Sequence, residues 1–281
     1  HRDLHSFPTR RSSDLGGIGT VVSMPEFSVS VDIGLCTSAA LRTETILLTH
    51  GHADHLAGLA TWLGVRRLYG MRPGRIVVPS GIEDSIRTLI GVLGDLQRRP
   101  YEVELLAVEV GDEVALSNGL LARPFAVDHG VPGVGWAIVR RVTKLRPEHH
   151  GMAGARIAEL KQDPANDLFE TRDESLVAVT GDTTAGGLDV GDPVVSGARV
   201  LFVEATFVDQ RRTVDHAHLG HHSHLDELAP VLQRVRSPAI VLYHFSQIYR
   251  PGEVEVAVAA GLPPDVASRV HVWLPEEGDR L

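Results

Sequence analysis

The sequence predicts a layered α/β fold with mixed sheets, and two patterns carry that prediction. In the middle of the chain four apolar runs follow one another with only turn residues between them, as antiparallel strands do; towards both ends, apolar runs alternate with segments of helical spacing, as parallel crossover units do. In order, Gly19 to Gly34 reads as two short strands around a turn at Pro25, with Phe27, Val29 and Val31 alternating. Thr45 to Thr49 is a buried strand running into His50, Leu56 to Leu68 has apolar residues at helical spacing, and Arg75 to Val78 is a strand closed by Pro79 and Gly81. Ile82 to Leu96 is a second helix. Strands follow at Glu102–Val110, Glu113–Leu116, Leu121–Val127, Gly135–Val142, Leu176–Thr180 and Val200–Ala205. The chain then reads helix Leu225–Val235, strand Ala239–His244, helix Val254–Ala259 and a last strand near Val270–Leu274. No repeat period and no linker composition interrupts this, so residues 16–281 are expected to form one domain.

Composition excludes several classes. With 43% hydrophobic and 22% charged residues the 281-residue chain can bury a core, which excludes a disordered or low-complexity protein. No apolar run approaches the roughly 18 residues that cross a bilayer, so no membrane partner is expected. The single cysteine, Cys36, excludes an internal disulfide and any multi-cysteine metal site, and suits the reducing cytoplasm. A net charge of −9 argues against a generally basic nucleic-acid binder and leaves room for a local basic patch. Residues 1–15, HRDLHSFPTRRSSDL, show no strand or helix periodicity and resemble the translation of a sequencing adapter. We expect that segment not to be native, with a natural strand lost before residue 16.

Histidine is the outlier, at fifteen against four tyrosines, and it clusters. In TILLTHGHADHLAGL an apolar strand is followed by His50, His52, Asp54 and His55 within six positions, at the start of a helix. If the backbone is extended there, His50 and His52 point one way while Asp54 and His55 turn aside at the helix entrance, which suits two adjacent metal ions. The bland alternative is a polar strand end with Asp54 as a helix cap, and four ligand-type residues after one apolar strand outweigh it.

This segment resembles the signature of the metallo-β-lactamase superfamily. The resemblance implies an αββα sandwich, two mixed β-sheets flanked by helices, with a two-metal site at one edge. It also implies where the remaining residues stand: Asp32 as a structural acid, His129 as a ligand after the strand 122–127, Asp182 in VTGDTT as a carboxylate bridging both metals, and His244 in IVLYHFSQIY as the last ligand. One metal would take His50, His52 and His129, and the other Asp54, His55 and His244. Imidazole and carboxylate donors suit two Zn2+, and Mn2+ or Fe2+ would fit the oxygen-richer second set.

Within that superfamily, VEATF at 203–207, GHHSH at 220–224, GDTT at 181–184 and HFSQIY at 244–249 resemble the motifs of ribonuclease Z, the endonuclease that trims tRNA 3′ ends, in its short plant-type form. The likeness covers nearly all of residues 17–274. It implies that Glu204 pairs with His222, that His222 protonates the leaving ribose oxygen, and that Asp54 is the general base. His216, His218 and His221 are expected as solvated loop residues, and His224 as a partner supporting the ligands. Two positions depart from the family: Ile248 stands where arginine is usual, and His224 where a threonine often follows the partner histidine.

Phosphate contacts dominate nucleic-acid affinity, so an acidic RNA enzyme needs a basic surface somewhere. Across residues 136–165, Arg140, Arg141, Lys144, Arg146, Arg156 and Lys161 face only three acids, a local balance of +3. The resemblance places a short projecting arm there, around 139–165, gripping precursor tRNA, and implies a homodimer in which one subunit's arm serves the other's cleft. We take Arg140, Arg141, Lys144, Arg146 and Lys161 as its RNA-binding residues. The reading is thus a two-metal endoribonuclease removing the 3′ trailer of precursor tRNA. Its competitors are a phosphodiesterase or arylsulfatase-like esterase acting on small molecules with the same metals, and a non-catalytic RNA-binding relative.

Overall fold

The first half of the chain builds a five-stranded sheet. In the computed structural model, which describes residues 14–15, 19–163 and 166–274, a two-residue ribbon pairs β1 (Asp14–Leu15) with β2 (Gly19–Thr20). The expectation for residues 1–15 therefore falls outside the described residues except at β1. The sheet itself runs β3 (Val22–Met24), β4 (Val29–Val31), β5 (Thr45–Leu47), β6 (Gly74–Pro79) and β7 (Val103–Val108). Only β3 and β4 are antiparallel; the other neighbours are parallel and joined by α1 (Ser38–Arg42), α2 (Ala53–Leu56) with α3 (Leu59–Leu68), and α4 (Glu83–Leu96). The turn between β3 and β4 takes up Phe27, which lies in a single 3₁₀ turn and not in the strand its alternation predicts.

The second half builds a seven-stranded sheet from β8 (Val114–Ala115), β9 (Leu120–Phe125), β10 (Gly135–Leu145), β11 (Phe169–Val179), β12 (Val200–Glu204), β13 (Ala239–Tyr243) and β14 (Val270–Val272), adjacent in that order. The strands from β8 to β11 are antiparallel to their neighbours, and those from β11 to β14 are parallel. Short helices fill the connections: α5 (Gly154–Leu160), α6 (Pro193–Ser196), α7 (Val214–Leu219), α8 (Leu225–Arg234), α9 (Pro251–Gly261) and α10 (Pro264–Ala267).

Strand alternation explains the layering. In β5 and the residue after it, Leu47 enters the core between the sheets while Ile46 and Leu48 face α3 and α4 together with Trp62, Leu63 and Ile86. In β12, Val200 and Phe202 enter the same inner core while Leu201 and Val203 face Leu225, Leu228 and Leu232 of α8. Three apolar layers thus separate four layers of structure, the αββα arrangement, and strands buried on both faces read as the continuous apolar runs from which they were identified. Trp136 ties the sheets together, its indole N–H donating to the Leu48 carbonyl at 2.9 Å.

Beyond this sandwich β10 and β11 continue as a hairpin. From Arg141 on one strand and up to Asp173 on the other they pair only with each other, with α5 in the connection. The long FETRDES stretch of β11 escapes periodicity because strand outside the sandwich has no apolar face to bury.

Candidate metal centre

Strand ends deliver nearly every residue of interest to one edge. Asp32 follows β4, His50 follows β5, Asp182 follows β11, Glu204 closes β12 and His244 follows β13, all at C-terminal ends of parallel strands, where functional groups of α/β folds collect. Two glycines make the convergence fit. A Cβ on Gly34 would stand 1.7 Å from the Asp54 carbonyl oxygen, and one on Gly58 would stand 2.6 Å from that of Ile33. The β4 loop and α2 are therefore in backbone contact, which sets Asp54 and His55 beside Asp32. Gly58 separates α2 from α3, its N–H bonding out to Ile33 at 2.8 Å, so the helix expected over 56–68 begins at Leu59 and a further short helix precedes it. His52, not Asp54, is the residue preceding α2; Asp54 lies in its first turn.

The seven predicted ligands come together. His129 Nε2 lies 3.1 Å from His52 Nδ1 and 3.6 Å from Asp182 Oδ2, and His50 Nε2 lies 3.8 Å from that same oxygen. On the other side, His55 Nε2 and His244 Nε2 are 3.3 Å apart, and Asp54 Oδ2 is 3.7 and 3.4 Å from them. Asp182 turns its second oxygen, Oδ1, to this set, 3.3 Å from His55 and 3.4 Å from His244. One carboxylate thus faces both sets, one oxygen to each.

The donor chemistry fits a divalent cation. Bonds of roughly 2.0–2.2 Å in a tetrahedral zinc site put ligand atoms about 3.3–3.6 Å apart, close to the separations within both sets. His50 Nε2 is buried without a hydrogen-bond partner in the protein, a costly state for a polar atom that a cation relieves. Asp32 and His244 hold left-handed backbone, φ 59 and 62, strain of about 1–3 kcal/mol each that is typical of functional sites.

Protonation follows from this packing. Burial, reinforced by neighbouring His55, pushes the His50 imidazole down to about 2, leaving it neutral and ready to ligate. Burial likewise lowers His129. For His55 burial pulls down, but the carboxylates of Asp182 and Asp32 outweigh it and hold the ring well above its ordinary range. Asp182 is held well below the carboxylate range: burial opposes ionisation, and His244 and His55 overcome it. Two threonines that sequence reasoning missed support the rings. The Thr49 hydroxyl lies 2.9 Å from Asp32 Oδ2 and 3.0 Å from His50 Nδ1, and the Thr206 hydroxyl 2.6 Å from Glu204 Oε2 and 3.2 Å from His244 Nδ1. Position beside a ligand or in the VEATF motif was the only signal available.

Glu204 is fully buried, and its Oε1 lies 3.0 Å from His222 Nδ1 while accepting from the Thr183 amide at 2.9 Å. Burial would lower His222, yet the Glu204 charge raises it. Its ring is 5.2 Å from that of His129 and 5.6 Å from that of His244, so the pair borders both sets. His216, His218 and His221 are exposed, as expected, but only His221 lies outside a helix; His216 and His218 stand on α7, His218 pairing with Glu227 at 2.6 Å. His221 offers its carbonyl to His129 Nδ1 at 3.0 Å. His224 does not support the ligands: its Nδ1 accepts from the Asp226 amide at 3.1 Å as the N-cap of α8, the office a threonine also fills, and its Nε2 donates to the Asp209 carbonyl at 3.2 Å.

The arm cations meet acids that the sequence window did not include. Arg141 pairs with Asp173 and Glu113, Lys144 with Glu174 at 2.7 Å, and Arg146 with Asp167. Lys161 lies 5.8 Å over the Phe169 ring. With Asp167, Glu170, Asp173 and Glu174 set against Arg172, the whole hairpin is neutral.

A four-layer sandwich with this cluster at its strand ends defines a class, and the family model for the β-lactamase superfamily domain matches residues 37–245. The chain is 32% identical over 245 residues to the chloroplastic tRNase Z of Arabidopsis thaliana, covering 87% of this chain and 69% of that one. To a second Arabidopsis tRNase Z it is 31% identical over 257 residues, covering 91% of each. The chain belongs to the tRNase Z family of this superfamily. Among solved structures, the short form of human tRNase Z superposes with a TM-score of 0.59 at 18% identity, covering 96% of this chain and 93% of that one. The metallo-β-lactamase fold protein YhfI of Bacillus subtilis gives 0.62 at 13%, covering 96% and 92%. At those identities the two structures speak for the fold.

Proposed function

We propose that the protein is a two-metal endoribonuclease that removes the 3′ trailer of precursor tRNA. The observation that carries this reading is Asp182, whose two oxygens face two separate donor sets. His50, His52 and His129 would hold one ion and Asp54, His55 and His244 the other, with Asp182 shared; two Zn2+ suit the donors best, and Mn2+ or Fe2+ would fit the second set. Bound there, a cation pair lowers the pKa of water to about 7 and neutralises charge on the scissile phosphate.

The chain supplies the proton chemistry. Asp54, half-buried beside His55 and His244, accepts the proton of the attacking water at a carboxylate oxygen. Cleavage releases a ribose 3′-oxygen, a poor leaving group unless protonated. His222 donates to it from Nε2, because its Nδ1 is committed to Glu204, whose charge raises the ring's affinity for its proton against the pull of burial. Such a donor contributes on the order of 10²–10⁴ in rate.

Arg140, Arg141, Lys144, Arg146 and Lys161 are proposed to contact RNA phosphates along the hairpin. Their ion pairs do not prevent this, since exposed pairs are worth about 0–1 kcal/mol and a phosphate can displace a carboxylate. A homodimer in the cytoplasm completes the proposal; the single cysteine suits a reducing compartment, and no helix among the described residues is long and apolar enough to cross a membrane. The test is activity on precursor tRNA against activity on bis(p-nitrophenyl) phosphate. Cleavage of the RNA supports the reading, whereas activity on the small ester alone overturns it.

A further inference from the structure

Thr206 is buried, and its hydroxyl stands between groups the mechanism treats separately. It lies 2.6 Å from Glu204 Oε2, 3.2 Å from His244 Nδ1 and 3.3 Å from His222 Nδ1. A carboxylate only accepts, so the one hydroxyl proton goes to Glu204. Towards the imidazoles the oxygen is then an acceptor. His222 Nδ1–H has a nearer partner in Glu204 Oε1 at 3.0 Å, which leaves His244 Nδ1–H as the natural donor to Thr206. A ring protonated at Nδ1 presents a lone pair at Nε2, and His244 Nε2 is the atom facing Asp54, His55 and Asp182. The Thr206 amide also reaches Glu204 Oε2 at 3.2 Å, and its carbonyl accepts from the Ser246 amide at 3.0 Å, so the same residue fixes both strand ends.

We infer that Thr206 is a positioning residue that sets the tautomer of His244 and the orientation of Glu204, and so couples the second metal set to the proton donor His222. This rests on the metal-dependent reading above. A hydroxyl that merely filled space would serve neither group; here its one proton and its lone pair are each assigned by geometry.

The experiment compares wild type, T206V, which keeps the shape and loses the hydroxyl, and T206S, which keeps the hydroxyl. Zinc affinity is measured by chelator competition, and kcat and KM on precursor tRNA at saturating zinc. T206V is expected to bind zinc about 10–100-fold more weakly and to lose at least about tenfold in kcat with KM unchanged, and T206S to recover both to within about threefold. Cleavage of bis(p-nitrophenyl) phosphate should fall less, because its leaving group needs no proton. In the unaltered zinc-loaded protein, long-range 1H–15N spectra should show His244 protonated at Nδ1, a readout that does not depend on the variants folding. Wild-type affinity and kcat in T206V, failure of a folded T206S to recover them, or a His244 ring protonated at Nε2 would overturn the inference. A wild-type protein that neither binds zinc nor cleaves RNA would instead remove the reading on which it rests.

Discussion

Asp32 Oδ2 and His55 Nδ1 lie 2.7 Å apart with both residues buried, and this contact fixes which nitrogen of His55 faces the second donor set. With Nδ1–H given to the carboxylate, Nε2 points at Asp182 and His244. Replacing Asp32 by Asn keeps the shape and reverses the logic, because an amide N–H facing Nδ1 turns it into an acceptor and moves the ring proton to Nε2. D32N is therefore expected to weaken zinc binding by about 10–100-fold, measured by chelator competition; unchanged affinity would contradict this role.

The Glu204–His222 pair separates proton donation from metal binding. H222A and E204Q should retain the metal content of the wild type while RNA cleavage falls by about 10²–10⁴ for H222A and less for E204Q. A smaller loss on bis(p-nitrophenyl) phosphate, whose nitrophenolate departs unprotonated, is the signature of a lost acid. Equal losses on both substrates would assign His222 another role.

Metal uptake should release protons. In the metal-free protein the two carboxylates hold a proton on His55 to higher pH than usual, whereas ligation needs the neutral ring, so affinity rises with pH through neutrality until His55 itself deprotonates. His50, pushed down to about 2, is already neutral and contributes no proton in this range. Calorimetry at pH 7 in buffers of different ionisation enthalpy should show net release, and a buffer-independent heat would be the contrary result.

Removal of Lys144 and Arg146 tests the arm. The double alanine variant should bind precursor tRNA more weakly and flatten its salt dependence by about one unit of slope per lost phosphate contact, with bis(p-nitrophenyl) phosphate hydrolysis unchanged. Because Glu174 and Asp167 neutralise these cations in the free protein, a slope change below one unit each is also consistent with contact, but no change is not.

How much of this was legible in the sequence follows from what each residue type signals. The ligands stood out because His50, His52, Asp54 and His55 crowd one strand end, and because β5, β12 and β13 are buried on both faces and so read as unbroken apolar runs. Thr206 and Thr49 were invisible as relays, since a threonine after a strand looks the same whether or not its hydroxyl holds an imidazole. The outer half of β11 was missed for lack of an apolar face. The +3 balance of residues 136–165 leaves out the acids that meet these cations in space: Asp173 and Glu174 on the returning strand, Asp167 just before it and Glu113 ahead of β8. Sequence proximity to His222 sets His224 beside the ligands, whereas its neighbours in space are the start of α8 and the Asp209 carbonyl.

Metal-dependent trailer removal is checked by cleavage of a precursor tRNA bearing a 3′ trailer by one protein sample before chelation, after it, and after zinc is restored, with the metal content measured alongside. We expect two ions per chain and a tRNA ending in a 3′-hydroxyl, with cleavage lost on chelation and recovered on reloading. Undiminished cleavage by the stripped protein, or a fully loaded protein that leaves the trailer intact, would contradict it.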